Sequence, residues 1–325
     1  MRGGKVESCH VIHAAVVDSK NNLIAKVGNP NLKTFIRSSA KPFQTLALFR
    51  AGVIDHFDFD DKEIAIISAS HNGEVFHLDV LNSIIQKTGL KESQLLCGYH
   101  SPFHAASAKR ILTENKTKSL LQNNCSGKHL GMLSACLVKG YSMDSYIDPE
   151  HPHQIAIREI ISEYSEIPYE NSEFGIDGCG VPAFCLPLKT MALMFAKFAS
   201  GKDSDVVRIR EAMAKYPELV AGTRRFDTQF MQTTQGRAVS KVGGEAVECF
   251  SFFDSHGMGI ALKCEDGQLR GVEPAAIDIL LQMNLISESE AMTMDNYWRP
   301  VLKNHVGVET GRILTDIQVE FLNQG

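Results

Sequence analysis

Ser38 and Lys41 stand three residues apart in FIRSSAKPFQTLALFRAG (35–52), where an apolar, helix-like run begins. On a helix, positions i and i+3 share a face. A lysine there, made neutral by burial, could take the hydroxyl proton of Ser38 and turn its oxygen into a nucleophile. An isolated Ser-x-x-Lys also fits a helix-capping serine followed by a surface lysine. Two further stretches carry suitable residue types. Ser70-His71-Asn72 closes the apolar run EIAIISAS (63–70), read as a strand, and precedes a helical pattern. Such a junction exposes a hydroxyl and backbone N–H groups, although Ser70 with Gly73 and Glu74 also reads as a plain helix start. Lys241-Val242-Gly243-Gly244 lies in a strand-like run whose glycines would let a backbone or a substrate approach. A surface lysine before a turn is the alternative there.

Ser-x-x-Lys, Ser-x-Asn and Lys-x-Gly follow one another in the order found in class A β-lactamases and penicillin-binding proteins. Read together, they favour a serine amidohydrolase over three unrelated caps. Another constellation lies outside that set. NNCSGKHLGM (123–132) puts Cys125 and Lys128 one helical turn apart with His129 beside them, and GIDGCGVPAF (175–184) holds Asp177 and Cys179. These segments could bring Cys125 and Cys179 onto a soft metal such as zinc. The alternative is two buried thiols acting as small hydrophobes. His10 and His13 read as sheet residues, and His151 and His153 as a solvated helix start.

The chain has 325 residues, 44% hydrophobic and 22% charged, with a net charge of −5. This is ordinary globular composition without the basic excess that nucleic-acid or anionic-membrane binding requires. No apolar stretch is long enough to span a bilayer, and the N-terminus lacks a secretory pattern. Eight cysteines scattered over a long chain read as reduced thiols of a cytoplasmic protein.

Several elements must position these residues. Residues 9–27 read as two strands turning at SKNN. Helices are expected at 38–52, from 71 to 89, and at 104–115, 126–139, 151–164, 186–200 and 203–217. Strands follow at 238–253 and 257–269, then a helix at GVEPAAIDILLQMN and a strand-like end at ILTDIQVEFL. Strands at both ends with helices between predict an α+β fold. It would be one domain over 1–325, with an antiparallel sheet from the N- and C-terminal segments and a helical lobe over roughly 38–235.

With RSSAKPFQ, SASHNGE, NNCSGKH, DGCGVP and SKVGGE in this order, the chain resembles the asparaginase II family, the class 3 or rhizobial-type L-asparaginases. The resemblance implies a fold similar to serine β-lactamases and serine-dependent glutaminases. It also implies hydrolysis of L-asparagine to L-aspartate and ammonia by two Ser–Lys tandems. The first is Ser38 with Lys41. The second is Ser70 with a late-strand lysine, assigned to Lys241 by its Lys-x-Gly context with Lys263 as the alternative. It further implies a zinc site of Cys125, Lys128 and Cys179, and a homodimer. Arg37 would pair with the substrate carboxylate and Asp177 with its ammonium, with His71, Asn72 and His129 completing the substrate shell. Three other readings compete: a glutaminase, since one methylene is discriminated by only about 1–3 kcal/mol; a penicillin-recognising peptidase; and an amino-acid-binding protein that releases no ammonia.

Overall fold

The computed structural model describes residues 1–114, 118–253 and 257–322, and the chain divides into two compact units. The first comprises residues 1–39, 186–200 and 229–325. Its antiparallel sheet runs in the order Glu320–Phe321, Leu23–Val27, Ile12–Val17, Met258–Cys264, Val247–Phe252, Ala238–Gly243. The first strand therefore pairs directly with a late one, Ala14 opposite Leu262. The turn at SKNN forms because the Asp18 carboxylate accepts the N–H groups of Lys20 and Asn22, both at 2.9 Å, and Asn21 tolerates a φ of 67°.

Every residue of Val247–Phe252 is buried, the polar Glu248 and Ser251 included, so both faces of this strand are covered. The helix Leu188–Ser200 packs on the sheet and belongs to its unit, although the sequence reading ran the helical lobe through it. Gly259 allows this approach, because a Cβ there would sit 2.0 Å from Ala192 O. At the C-terminus, strand character narrows to Glu320–Phe321, and an unforeseen hairpin, Val301–Lys303 with Glu309–Arg312, precedes it.

The second unit comprises residues 40–185 and 201–228. It is mainly helical: Lys41–Arg50, Asp61–Ile67, Val75–Thr88, Ala105–Thr113, Ser126–Lys139, Pro152–Ser165 and Ser204–Lys215. One expectation is overturned here. Residues 63–67 are helical, not a strand. A short apolar run does not tell strand from buried helix, and the deciding signal was the reciprocal cap of Asp60 and Glu63 at its start. His151 and His153 do start a helix, as read, but both are buried rather than solvated. The Ser126–Lys139 helix packs on Asp61–Ile67 and Lys41–Arg50. Gly127 and Gly131 make that possible: Cβ atoms there would lie 2.2 Å from Ile66 O and 2.5 Å from Leu48 Cδ1.

Candidate active site

Two other segments of the second unit, at Ala69–Ser70 and Asn124, converge on the amine of Lys41, which is 1% exposed. Lys41 is the first residue of its helix, with Pro42 tolerated in the opening turn. Its Nζ lies 3.0 Å from Ser70 Oγ, donates to Asn124 O at 3.3 Å, and is also hydrogen-bonded to Ala69 O. Burial holds its pKa below the ordinary lysine value; Cys125 opposes the shift and the Lys128 charge reinforces it. A neutral amine has two N–H groups and one lone pair. While protonated, Lys41 donates to all three oxygens; once it gives up a proton, the two carbonyls take the remaining hydrogens and the lone pair turns to the Ser70 hydroxyl.

The loop that carries Ser70 is tied down at each residue. Ser70 N–H donates to Val220 O at 2.9 Å. His71 Nδ1 accepts from Gly73 N–H at 3.1 Å, so its Nε2–H donates to Ser126 Oγ at 3.0 Å. Burial, then the charges of His77, Lys41 and His100, push the His71 pKa well below its ordinary value, keeping the ring neutral. The Asn72 amide donates to Thr223 O and Glu74 Oε1 and accepts from Arg225. His71 and Asn72, expected to line the substrate, hold this loop.

Asn124 is held by His100, a residue the sequence reading passed over. Nε2 of His100 accepts the Asn124 N–H at 2.9 Å, and its Nδ1–H donates to Ser101 O at 2.8 Å. His100 thereby holds the residue whose carbonyl receives Lys41, through the peptide that precedes it. It sits in an irregular segment, GYHSPFH, with no periodicity to mark it.

Next to Lys41 the sulfurs meet. Asn123 Oδ1 accepts Cys125 N–H at 2.8 Å at the start of the Ser126–Lys139 helix. The tight turn Asp177–Gly180, closed by Gly180 N–H to Asp177 O at 2.9 Å, carries Cys179 to the same place. Lys128 Nζ donates to Cys179 Sγ at 3.0 Å. Cys125 lies well below its ordinary pKa, first through a hydrogen bond from Cys179, against burial, and then through the Lys41 and Lys128 charges. Cys179 is correspondingly raised by that bond and by burial. Lys128 is raised too: burial works against its charge, but the two sulfurs outweigh it. A thiolate, a second sulfur and a lysine that would give up its proton on binding, in one dry pocket, fit a zinc ion. His129 Nδ1 accepts from the Tyr146 hydroxyl at 2.7 Å, which itself accepts Leu96 N–H. His129 Nε2 is buried without a hydrogen-bond partner among the described residues. Asp177 is half-buried two residues before Cys179.

The remaining expected residues lie in the first unit. Ser38 is half-buried in the 3₁₀ turn Arg37–Ala40. It does not cap the following helix, whose N-cap is Ala40 with no side-chain cap. Arg37 has a φ of 51°, a conformation that ordinary side chains rarely adopt and that collects at functional sites. Its guanidinium lies over Gly244, where a Cβ would come 3.0 Å from Cζ, and a Cβ on Gly243 would come 2.7 Å from Ile36 O. The glycines of SKVGGE thus admit the Ile36–Arg37 segment. Ser39 Oγ donates to Lys241 O at 2.7 Å. Lys241 is wholly buried and donates to Val242 O at 2.9 Å. Lys263 donates to Glu245 O at 2.6 Å and to Cys264 O, supporting a turn in which Glu245 and Ala246 both have positive φ.

Comparison with known proteins gives one family: the model described as L-asparaginase II matches residues 1–315. The chain is also similar to two solved structures of Mglu. One, in its Tris and glutamate form, has 13% identity and a TM-score of 0.37 over 84% of this chain. The other, in its native form, has 14% identity and a TM-score of 0.38 over 85%. The chain spans 59% and 65% of the length of those two chains. No curated protein matches the sequence.

Proposed function

The chain belongs to the L-asparaginase II family, and from that premise we propose that it hydrolyses the side-chain amide of L-asparagine to L-aspartate and ammonia through a serine activated by Lys41. The family supports an amidohydrolase acting on asparagine or glutamine. The observation that supports the serine chemistry is the buried Lys41 amine, with carbonyls on two sides and the Ser70 hydroxyl on the third.

In this reading Ser38, one turn ahead of Lys41 in sequence, attacks the amide carbon and its proton passes to the lysine. Backbone N–H groups hold the oxyanion, each well-placed donor contributing about 3–4 kcal/mol. Ser70 delivers the proton from Lys41 to the departing ammonia, with Lys241 as the second lysine on the strength of the resemblance. Water then enters, loses a proton to Lys41 and attacks the ester; the Ser38 oxygen leaves, takes that proton back from Lys41, and aspartate is released. Arg37 forks onto the substrate α-carboxylate, and Asp177 receives its α-ammonium. His71 and Asn72 act through the Ser70 loop they fix. Cys125, Lys128 and Cys179 would hold zinc, which when bound supplies a fixed positive charge for orienting the substrate. A serine β-lactamase-like fold and a cytoplasmic homodimer complete the reading.

Rapid-quench mass spectrometry during asparagine turnover tests the roles of the serines. The acyl mass is expected on the peptide containing Ser38, and Ser70→Ala should slow ammonia release about a hundred- to ten-thousand-fold. An acyl group on the Ser70 peptide would exchange the two roles. Undiminished turnover by the Ser38→Ala, Ser70→Ala double variant would refute serine catalysis.

A further inference from the structure

We propose that the first unit carries a second metal site, formed by His10, Cys264 and Asp266 and suited to Zn²⁺. The three donors converge because the first strand pairs with a late one. Cys264 ends the strand Met258–Cys264 directly opposite Ile12. His10 lies just ahead of Ile12, outside the sheet in which the sequence reading placed it. Asp266 sits in the turn that leads into the helix Leu269–Gln282.

One donor atom from each residue lies within 4.8 Å of the other two. The Cys264 thiol, buried, donates to Asp266 Oδ1 at 2.9 Å, and Asp266 Oδ2 meets His10 Nδ1 at 2.6 Å. Asp266 Oδ1 also accepts Gln268 N–H at 3.0 Å, which fixes the carboxylate. The helix passes these donors at Gly271, where a Cβ would come 2.8 Å from His10 Cβ and 2.9 Å from Cys264 Sγ. Any side chain there would press on the ligands.

A thiolate, an imidazole and a carboxylate form a mixed set typical of zinc, and the sulfur disfavours calcium and magnesium. Tetrahedral zinc, with bonds of about 2.0–2.3 Å, sets its donors about 3.3–3.8 Å apart, so the cluster need open by only about an ångström. The exchange balances. Zn²⁺ enters and the Cys264 thiol proton leaves to solvent. The His10 proton moves from Nδ1 to Nε2, and Arg270 Nε, which donates to Nε2 at 3.1 Å, turns to solvent. Water takes the fourth position, reachable past the exposed Asp266.

Cobalt(II) titration of the metal-free full chain carrying Cys125→Ala and Cys179→Ala tests the site apart from the Cys125–Cys179 pair and apart from activity. One equivalent of Co²⁺ should bind with thiolate-to-cobalt charge transfer and tetrahedral d–d bands. Adding Cys264→Ser should abolish the charge transfer, and adding His10→Gln should weaken Co²⁺ at least about tenfold. Charge transfer that survives Cys264→Ser, with Cys9 still present, or its absence from the parent, overturns the proposal. Should that background fail to fold, native mass spectrometry of the zinc-loaded chain decides instead. Cys264→Ser alone, and His10→Gln alone, should each lower bound zinc by one equivalent, and unchanged stoichiometry in both overturns the site.

Discussion

At Lys41 two requirements meet: an amine dry enough to lose its proton and polar contacts that aim its lone pair. Burial supplies the first, and the carbonyls of Ala69 and Asn124 supply the second. Lys41→Met keeps much of the apolar stem and removes the base, so kcat should fall about a hundred- to ten-thousand-fold with little change in melting temperature. Steady-state ammonia release checks this, and Lys41→Arg should not rescue it, because a guanidinium keeps its proton. His100 acts further out, by holding the Asn124 N–H and so the residue whose carbonyl meets Lys41. His100→Ala should lower kcat about tenfold or more with KM nearly unchanged, and His100→Gln, whose amide oxygen can accept the same N–H, should recover part of the loss. Equal losses in the two variants would mean that the ring only fills space.

The Ser126–Lys139 helix carries Lys128 and follows directly on Cys125, so its seat on the neighbouring helices sets the sulfur–lysine cluster. Gly127→Ala would drive a methyl into Ile66 O. It should cost roughly 1–3 kcal/mol in urea unfolding and lower the zinc occupancy proposed for Cys125, Lys128 and Cys179. This helix was legible in the sequence to the residue, because apolar periodicity and the terminal Gly140 mark it. The N-terminal hairpin was legible as well, from SKNN. The Asp61–Ile67 helix was not, since seven residues are too few to show a period. Nor was the Lys41–Ser70 contact. Sequence spacing speaks for Ser38 and Lys41, three residues apart, but says nothing of partners 29 apart. The hydrogen bonds that occupy His71 and Asn72 were hidden for the same reason, because their partners Ser126, Thr223 and Arg225 lie far along the chain.

Over the whole molecule, buried histidines set the acid limit of stability. Burial, against the Glu218 carbonyl and Glu74, pushes His77 down to about 4; burial and then His151 do the same to His153. Both are neutral in the fold, and unfolding returns them to the ordinary 6.5. Their contribution is therefore present above about pH 6.5 and lost as pH falls through 4, roughly 3 kcal/mol each over that span. Calorimetry from pH 7 to pH 4.5 should show a steep loss of melting temperature, which His77→Gln with His153→Gln flattens; parallel slopes in the two proteins would exclude this origin. No helix among the described residues is long and apolar enough to cross a membrane. The most direct test of the proposed chemistry is ammonia release from L-asparagine and L-glutamine by the wild-type chain beside Lys41→Met. Release that favours asparagine and collapses in the variant is the expected result. No release from either amide, or release that survives the loss of Lys41, would contradict a lysine-activated serine amidohydrolase.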